Sequence, residues 1–198
     1  MKQLEMRRIS KEPVPYEIPE GYSVVNYSRP EEKEEYYFIH YSKPEPESET
    51  GAFFDKTLVS YPDCEPMRDT FFLKHGDEYV GTVTAVFHPK TNSGYVHMVC
   101  IRADYRGKGL ARLVNAIAID TLLLKNPDYI LLTTDDWRIP AIKSYLKAGF
   151  LPVMNEIWPH NKLRMFLRWK KIYKKIGLDT FEYLTLKTEK RSIKFGDK

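Results

Sequence analysis

Between Leu110 and Lys125 the chain sets Leu110, Leu113, Val114, Ile117, Thr121 and Leu124 at i, i+3, i+4, i+7 intervals, one stripe of a helix. Upstream the pattern changes to extended runs. Tyr95–Arg102 reads as a strand, and so do Thr70–Lys74 and Tyr79–Phe87, joined by a tight His75-Gly76-Asp77-Glu78 turn. Tyr79–Phe87 is apolar or Thr on both faces, as a central strand should be. Downstream, Asn126-Pro127-Asp128 stops the helix, and Tyr129–Thr134 is a short apolar run suited to a buried parallel strand.

Further elements flank this centre. Residues 1–20, with Pro13, Pro15 and Pro19, read as a short strand or arm followed by loop, and Tyr22–Tyr27 as a strand. Pro30 and the acidic residues after it open a helix to about Tyr41. A loop rich in Pro and Glu follows, then a helix from Ala52 to Ser60 with Phe53, Phe54, Leu58 and Val59 inward. Asp136 is a candidate N-cap, Pro140 a first-turn residue and Gly149 the C′ residue of another helix. A strand from Phe150 to about Glu156 leads to a last helix, Trp158 to Ile176, ended by Gly177. Its inner stripe is Met165, Phe166, Trp169, Ile172, Tyr173 and Ile176, and its basic face (Arg164, Arg168, Lys170, Lys171, Lys174, Lys175) reads as solvated. Phe181–Leu186 reads as an edge strand, and the tail after Lys187 as flexible. Hairpins followed by strand–helix–strand–helix–strand give a mixed α/β sheet.

Charge and composition narrow the partners. The net charge of +4 is too small to argue for nucleic acid but suits an anionic ligand. Cys64 and Cys100 lie far apart with no Cys-x-x-Cys spacing, so neither a disulfide framework nor a metal site is expected. No apolar run reaches membrane-spanning length and Met1–Arg8 lacks an apolar leader, so the expectation is a cytoplasmic protein with no membrane partner. The oligomeric state stays open between monomer and homodimer.

The chemistry concentrates in Tyr105-Arg106-Gly107-Lys108-Gly109-Leu110-Ala111, between a strand and the long helix. The first turn of a helix has N–H groups without intrahelical partners and a dipole that favours negative charge. Gly107 and Gly109 allow turn geometry and close approach of a phosphate, while Arg106 and Lys108 add positive charge. The segment reads as a pyrophosphate cradle. Neither the P-loop pattern nor Gly-x-Gly-x-x-Gly fits, since Lys108 is followed by Gly109 and Leu110, and Arg112 stands where a third Gly would be needed. Arg106, Gly109 and Ala111 do satisfy Arg-x-x-Gly-x-Gly/Ala.

With Cys100-Ile101-Arg102-Ala103-Asp104 before it, this segment resembles the coenzyme A signature of the GNAT superfamily of acyl-CoA-dependent N-acyltransferases. Asp136–Phe150 is similar to a second pattern of that family, Asn-x-x-Ala-x-x-x-Tyr-x-x-x-Gly-Phe. Ala141, Tyr145, Gly149 and Phe150 match it, and Arg138 replaces the usual Asn. The resemblance covers Thr70 to Val153 firmly and Pro19 to Tyr41 more weakly. It implies one α/β domain over 1–198 with a mixed, mostly antiparallel sheet, a central parallel strand pair and flanking helices. The core would span about 20–157, with an extra C-terminal helix over about 158–177 and a flexible tail over 188–198.

The resemblance further implies acetyl-CoA as acyl donor, with no metal, and a small-molecule or peptide amine as acceptor. The pantetheine arm would pair with the backbone of Val99, Cys100 and Ile101, and the pyrophosphate would sit on Arg106, Gly107, Lys108, Gly109, Leu110 and Ala111. Arg138 could reach the cofactor's polar groups. Tyr145 stands at the family's general-acid position, and a bulged strand would supply an N–H to the thioester oxygen. The base is open. His97, read as sharing a strand face with Val99 and Ile101, is one candidate, Asp135 another, and a water chain a third. Glu45, Glu47 and Glu49 could attract a cationic acceptor. A non-catalytic acyl-CoA-binding sensor or scaffold is the alternative.

Overall fold

The structure, a computed structural model, describes residues 3–154 and 159–194. In chain order its elements are β1 (Leu4–Arg8), β2 (Tyr22–Asn26), α1 (Glu32–Tyr41), α2 (Ala52–Phe54), α3 (Pro66–Asp69), β3 (Thr70–His75), β4 (Glu78–His88), β5 (Ser93–Ile101), α4 (Leu110–Leu123), β6 (Tyr129–Thr134), α5 (Ile139–Lys147), β7 (Leu151–Met154), α6 (Pro159–Ile176), β8 (Thr180–Thr185) and β9 (Lys190–Lys194). They divide into two compact units, Lys11–Ile130 and Met1–Ser10 with Leu131–Lys198.

In the first unit, β2-β3-β4-β5 form an antiparallel sheet. Helices α1 and α2 cover one face around Tyr36, Ile39, Phe54, Leu58 and Phe72, with Met98 and Cys100 of β5 packed against that cluster. Helix α4 packs on β4 and β5. The predicted stripe of α4 is buried at Leu110, Leu113, Val114 and Ile117, but so are Ala116, Ala118, Ile119 and Leu122, so this helix is enclosed on most sides. It ends at Leu123, which turns Leu124 outward to 86% exposure and removes it from the stripe.

The predicted helix over Ala52–Ser60 is a short α-turn that widens into a π-turn at Asp55–Val59, with Ser60 N–H bonded to Asp55 O at 2.8 Å. That wider winding keeps Phe54 and Leu58 inward and rotates Val59 into solvent. Helix α1 is held by Glu32, a buried carboxylate that accepts Ser28 N–H at 2.7 Å, Arg29 N–H at 3.2 Å and the Tyr79 hydroxyl at 2.8 Å.

In the second unit the strand order is β6-β1-β7-β8-β9, with β6 starting at Tyr129 in the first unit. β1 and β7 pair antiparallel (Met6 opposite Pro152), β7 and β8 parallel (Val153 opposite Leu184), and β8 and β9 antiparallel. Residues 180–185 are therefore not an edge strand, and Lys190–Lys194 is a strand where the pattern reads as a flexible tail. Every residue of β9 is exposed, so pairing with β8 carries it with no apolar burial of its own. The predicted inner stripe of α6 is buried at Trp169, Ile172 and Tyr173, and Tyr173 meets Phe181 edge-on with centroids 5.0 Å apart. Trp158 and the expected end of the preceding strand, 155–156, lie outside the described residues. Together the units have the mixed strand pairing, flanking helices and extra C-terminal helix expected of the fold class.

Candidate active site

A bulge in β5 sets the geometry here. Thr84 pairs with His97 and Thr82 with Cys100, so Met98 and Val99 together oppose Val83, and Met98 takes φ +49°. The extra residue reverses the alternation of side chains beyond it. His97 and Cys100 consequently lie on the same sheet face, where His97 Nε2 donates to Thr57 O at 2.9 Å and the Cys100 thiol donates to Ile39 O at 3.4 Å. The expected grouping of His97 with Val99 and Ile101 is overturned, because it assumed an unbroken two-residue period.

His97 is tightly held. Its ring stacks on Tyr61 (4.3 Å) and Tyr95 (5.1 Å), and burial pushes its pKa below the usual imidazole value, against the opposing pull of its bond to Thr57. A neutral imidazole donating through Nε2 carries its lone pair on Nδ1. Tyr61, which a strand-by-strand reading does not single out, has its hydroxyl pushed up to about 12, chiefly by burial.

At the end of β5 the chain enters the Gly-rich loop, which is braced from one side. The Arg102 guanidinium bonds both oxygens of Asp104 (2.8 and 2.9 Å), and it also reaches Glu78, whose carboxylate accepts the Tyr105 hydroxyl at 3.2 Å. The bond from Arg102 holds both the Asp104 and Glu78 carboxyls below the usual range. Arg106 turns back, its Nε donating to Ile101 O at 3.0 Å, so this side chain clamps the loop to the strand it left. Lys108 lies with Nζ 4.4 Å from the Tyr105 ring centre, a cation fixed at the loop's rim.

Gly107 and Gly109 take φ +82° and +80°, left-handed values on either side of Lys108, and Gly109 is the N-cap of α4. A Cβ at either glycine would meet no atom within 4 Å, so the need for glycine is conformational and the space above the loop is open. Among the described residues, no acceptor takes the main-chain N–H groups of Gly107, Lys108, Gly109, Leu110 and Ala111. Five adjacent unpartnered donors, alternating handedness and a helix N-terminus fit a phosphate-bearing group.

Sequence reasoning missed what faces this cradle. An open cavity of about 420 Å³ is lined by Lys108, Gly109 and Arg112 together with Pro15, Tyr16 and Glu17 of the N-terminal arm. Arg112 Nη2 donates to Pro15 O at 3.3 Å and ties the arm to α4. The three prolines were the available signal, since they mark a stiff segment, but nothing local says where it lies.

Tyr145 and Arg138 belong to the other unit. Tyr145 is buried on α5, and its ring meets Phe150 nearly edge-on at 6.2 Å. Arg138 occupies the N-cap position of α5 without a side-chain capping bond, pairs with Asp135 at 3.4 Å and stacks over Trp137 at 4.9 Å. Asp136 does not cap α5, whose N-cap position falls two residues later. Its carboxylate instead takes a two-point bond from Arg168 of α6, which holds its pKa low and removes Arg168 from the solvated basic face. Glu45 likewise serves structure, accepting Gly51 N–H at 2.7 Å and Phe53 N–H at 3.0 Å at the start of α2. That leaves Glu47 and Glu49 exposed in the loop.

The sequence profile of the family described as acetyltransferase (GNAT) matches residues 25–150, which contain the bulged strand, the cradle and α5. The chain belongs to the GNAT acetyltransferase family. Over 75 residues it is 31% identical to N-alpha-acetyltransferase 30 of Saccharomyces cerevisiae, covering 36% of this chain and 43% of that protein. Over 120 residues it is 25% identical to N-alpha-acetyltransferase 30 of Schizosaccharomyces pombe, covering 58% and 69%. The chain thus spans less than half the length of the first of these relatives.

Among solved structures, a GCN5-related N-acetyltransferase from Sphaerobacter thermophilus superposes with a TM-score of 0.58 at 18% identity, covering 76% of this chain and 48% of that one. The ribosomal-protein-S18-alanine N-acetyltransferase of Escherichia coli gives 0.50 at 14% identity, with 65% and 76% covered. These likenesses establish the GNAT fold. No helix among the described residues is long and apolar enough to cross a membrane.

Proposed function

We propose that this protein transfers an acetyl group from acetyl-CoA to a primary amine. The α-amine of a peptide is the favoured acceptor class, because the two yeast relatives carry the name N-alpha-acetyltransferase. The observation that carries the reading is the cradle, with its five unpartnered N–H groups and two left-handed glycines inside the family match. The donor supplies a thioester, and its phosphates would sit on Gly107 to Ala111.

The chain's own groups divide the remaining work. The bulge sets Met98 and Val99 together opposite one residue of β4, and in this reading the Val99 N–H stabilises negative charge on the thioester oxygen. As the amine nitrogen bonds to the acyl carbon and the C–S bond breaks, Tyr145 gives its hydroxyl proton to the departing thiolate. His97, through Nδ1, is the base that takes the excess proton from the amine. Val99 and Cys100 offer backbone to the pantetheine arm, whereas Ile101 O already accepts from Arg106. Arg138, held by Asp135, is the family-position contact to the cofactor's polar groups.

Calorimetric titration with acetyl-CoA, followed by acetyl transfer to a panel of peptides and small amines, tests this reading. Tight binding and transfer to peptide N-termini are expected. Tyr145→Phe should then lower kcat by roughly 10²–10⁴-fold without changing acetyl-CoA affinity. Binding without transfer to any amine would favour the sensor or scaffold role, and no binding at all would overturn the cofactor assignment.

A further inference from the structure

We infer that the N-terminal arm completes the cofactor site, with Tyr16 as the stacking platform for the adenine ring of coenzyme A. The inference rests on the proposed acetyl-CoA reading and extends it to residues outside the family match, which begins at residue 25.

The cavity beside the cradle has two chemically different sets of lining residues. One set, Lys108, Arg112 and the residues at the start of α4 with their unpartnered N–H groups, suits phosphate. Pro15, Tyr16 and Glu17 of the arm also line the cavity, and they bring an aromatic ring and a carboxylate. A ligand that fits both must join an anionic end to a flat base with an exocyclic amine for Glu17. An adenosine phosphate has that form, whereas an inorganic anion would meet an unneeded negative charge. Tyr16 is 39% exposed and lines this cavity.

The arm is also fixed in place. Prolines at 13, 15 and 19 restrict the backbone, Val14 is buried, and Arg112 holds Pro15 O. Lys11 Nζ donates to Pro127 O and anchors the arm's beginning. A wall ordered before the ligand arrives loses little entropy on binding.

The test is calorimetry on the full chain and on Tyr16→Ala and Tyr16→Phe, with coenzyme A and separately with adenosine 3′,5′-bisphosphate. Circular dichroism checks that the variants fold, which the exposure of Tyr16 favours. Tyr16→Ala should weaken both ligands by about tenfold or more, and Tyr16→Phe should bind like wild type, because stacking needs the ring and not the hydroxyl. Unchanged affinity in Tyr16→Ala, or equal weakening in Tyr16→Phe, would overturn the stacking role while wild-type binding still supports the cofactor reading. Wild type that binds neither ligand would overturn both.

Discussion

Gly109 and Gly76 form a matched pair that separates conformational strain from ligand binding. Both take positive φ, +80° and +57°, and a Cβ added at either would meet nothing within 4 Å. Gly76 lies in the β3–β4 turn, Gly109 at the start of α4 beside the cavity. Replacing either by Ala forces an L-residue into the left-handed region, which costs about 1–2 kcal/mol of stability. No clash adds to that figure.

Binding should divide the pair. In Gly109→Ala the methyl group enters the open space that a phosphate must approach. Escape to right-handed φ would instead turn the N–H groups apart. Either way about one charge-assisted hydrogen bond is lost, about 1.5–3 kcal/mol, or roughly ten- to a hundredfold in affinity for coenzyme A. Urea unfolding should show similar losses in both variants, and calorimetry should show weakened binding only in Gly109→Ala. If Gly109→Ala binds coenzyme A as tightly as Gly76→Ala does, the phosphates do not sit on this loop.

Other perturbations test the supporting structure. Glu32→Ala removes the acceptor of two main-chain N–H groups and the Tyr79 hydroxyl in a buried place, so a loss of about 3–5 kcal/mol in urea unfolding is expected. Burial raises the Glu32 pKa, but the bonds from Ser28, Tyr79 and Arg29 outweigh it and leave the group below its ordinary value. Its contribution is therefore present above the unfolded-state pKa of about 4.3 and fades as pH falls through the lower folded value, so the wild-type advantage over Glu32→Gln should shrink in acid. His97, buried and shifted down, contributes stability above about pH 6.5 that is lost as pH falls toward its folded pKa. His97→Gln should flatten the stability profile between pH 7 and 5, and an unchanged slope would contradict the burial argument. Arg168→Ala should lose about 1–2 kcal/mol, and a double-mutant cycle with Asp136→Ala should return most of that as coupling.

What could be read from the sequence follows from where each constraint is written. A left-handed turn at a helix N-cap needs glycine, so the cradle shows itself in Gly107 and Gly109 without any tertiary information. The buried stripe of α4 is written in its spacing. The bulge in β5 is not, since Tyr95-Val96-His97-Met98 contains neither Gly nor Pro and the extra residue appears only against the register of β4. The grouping of His97 with Val99 and Ile101 fails for that reason. Strand β9 was invisible because it has no apolar face and exists through its ladder with β8.

Charged side chains illustrate the same boundary from the other side. Glu45, Asp136 and Arg168 each carried a plausible local role, as cation attractor, helix cap and solvated cation. The folded chain gave each a partner that no local window contains or ranks, up to 32 positions away for Asp136 and Arg168. A carboxylate near unpaired N–H groups or a guanidinium is stabilised more by charge-assisted bonds than by solvent-exposed alternatives, so tertiary partners take it first. The unbonded main-chain donors at Gly107–Ala111 are informative by contrast. In a fold that supplies an acceptor for Gly51 and Phe53 N–H at the start of α2 through Glu45, the N–H groups from Gly107 to Ala111 have none among the described residues, and an external anion is the acceptor that their geometry admits.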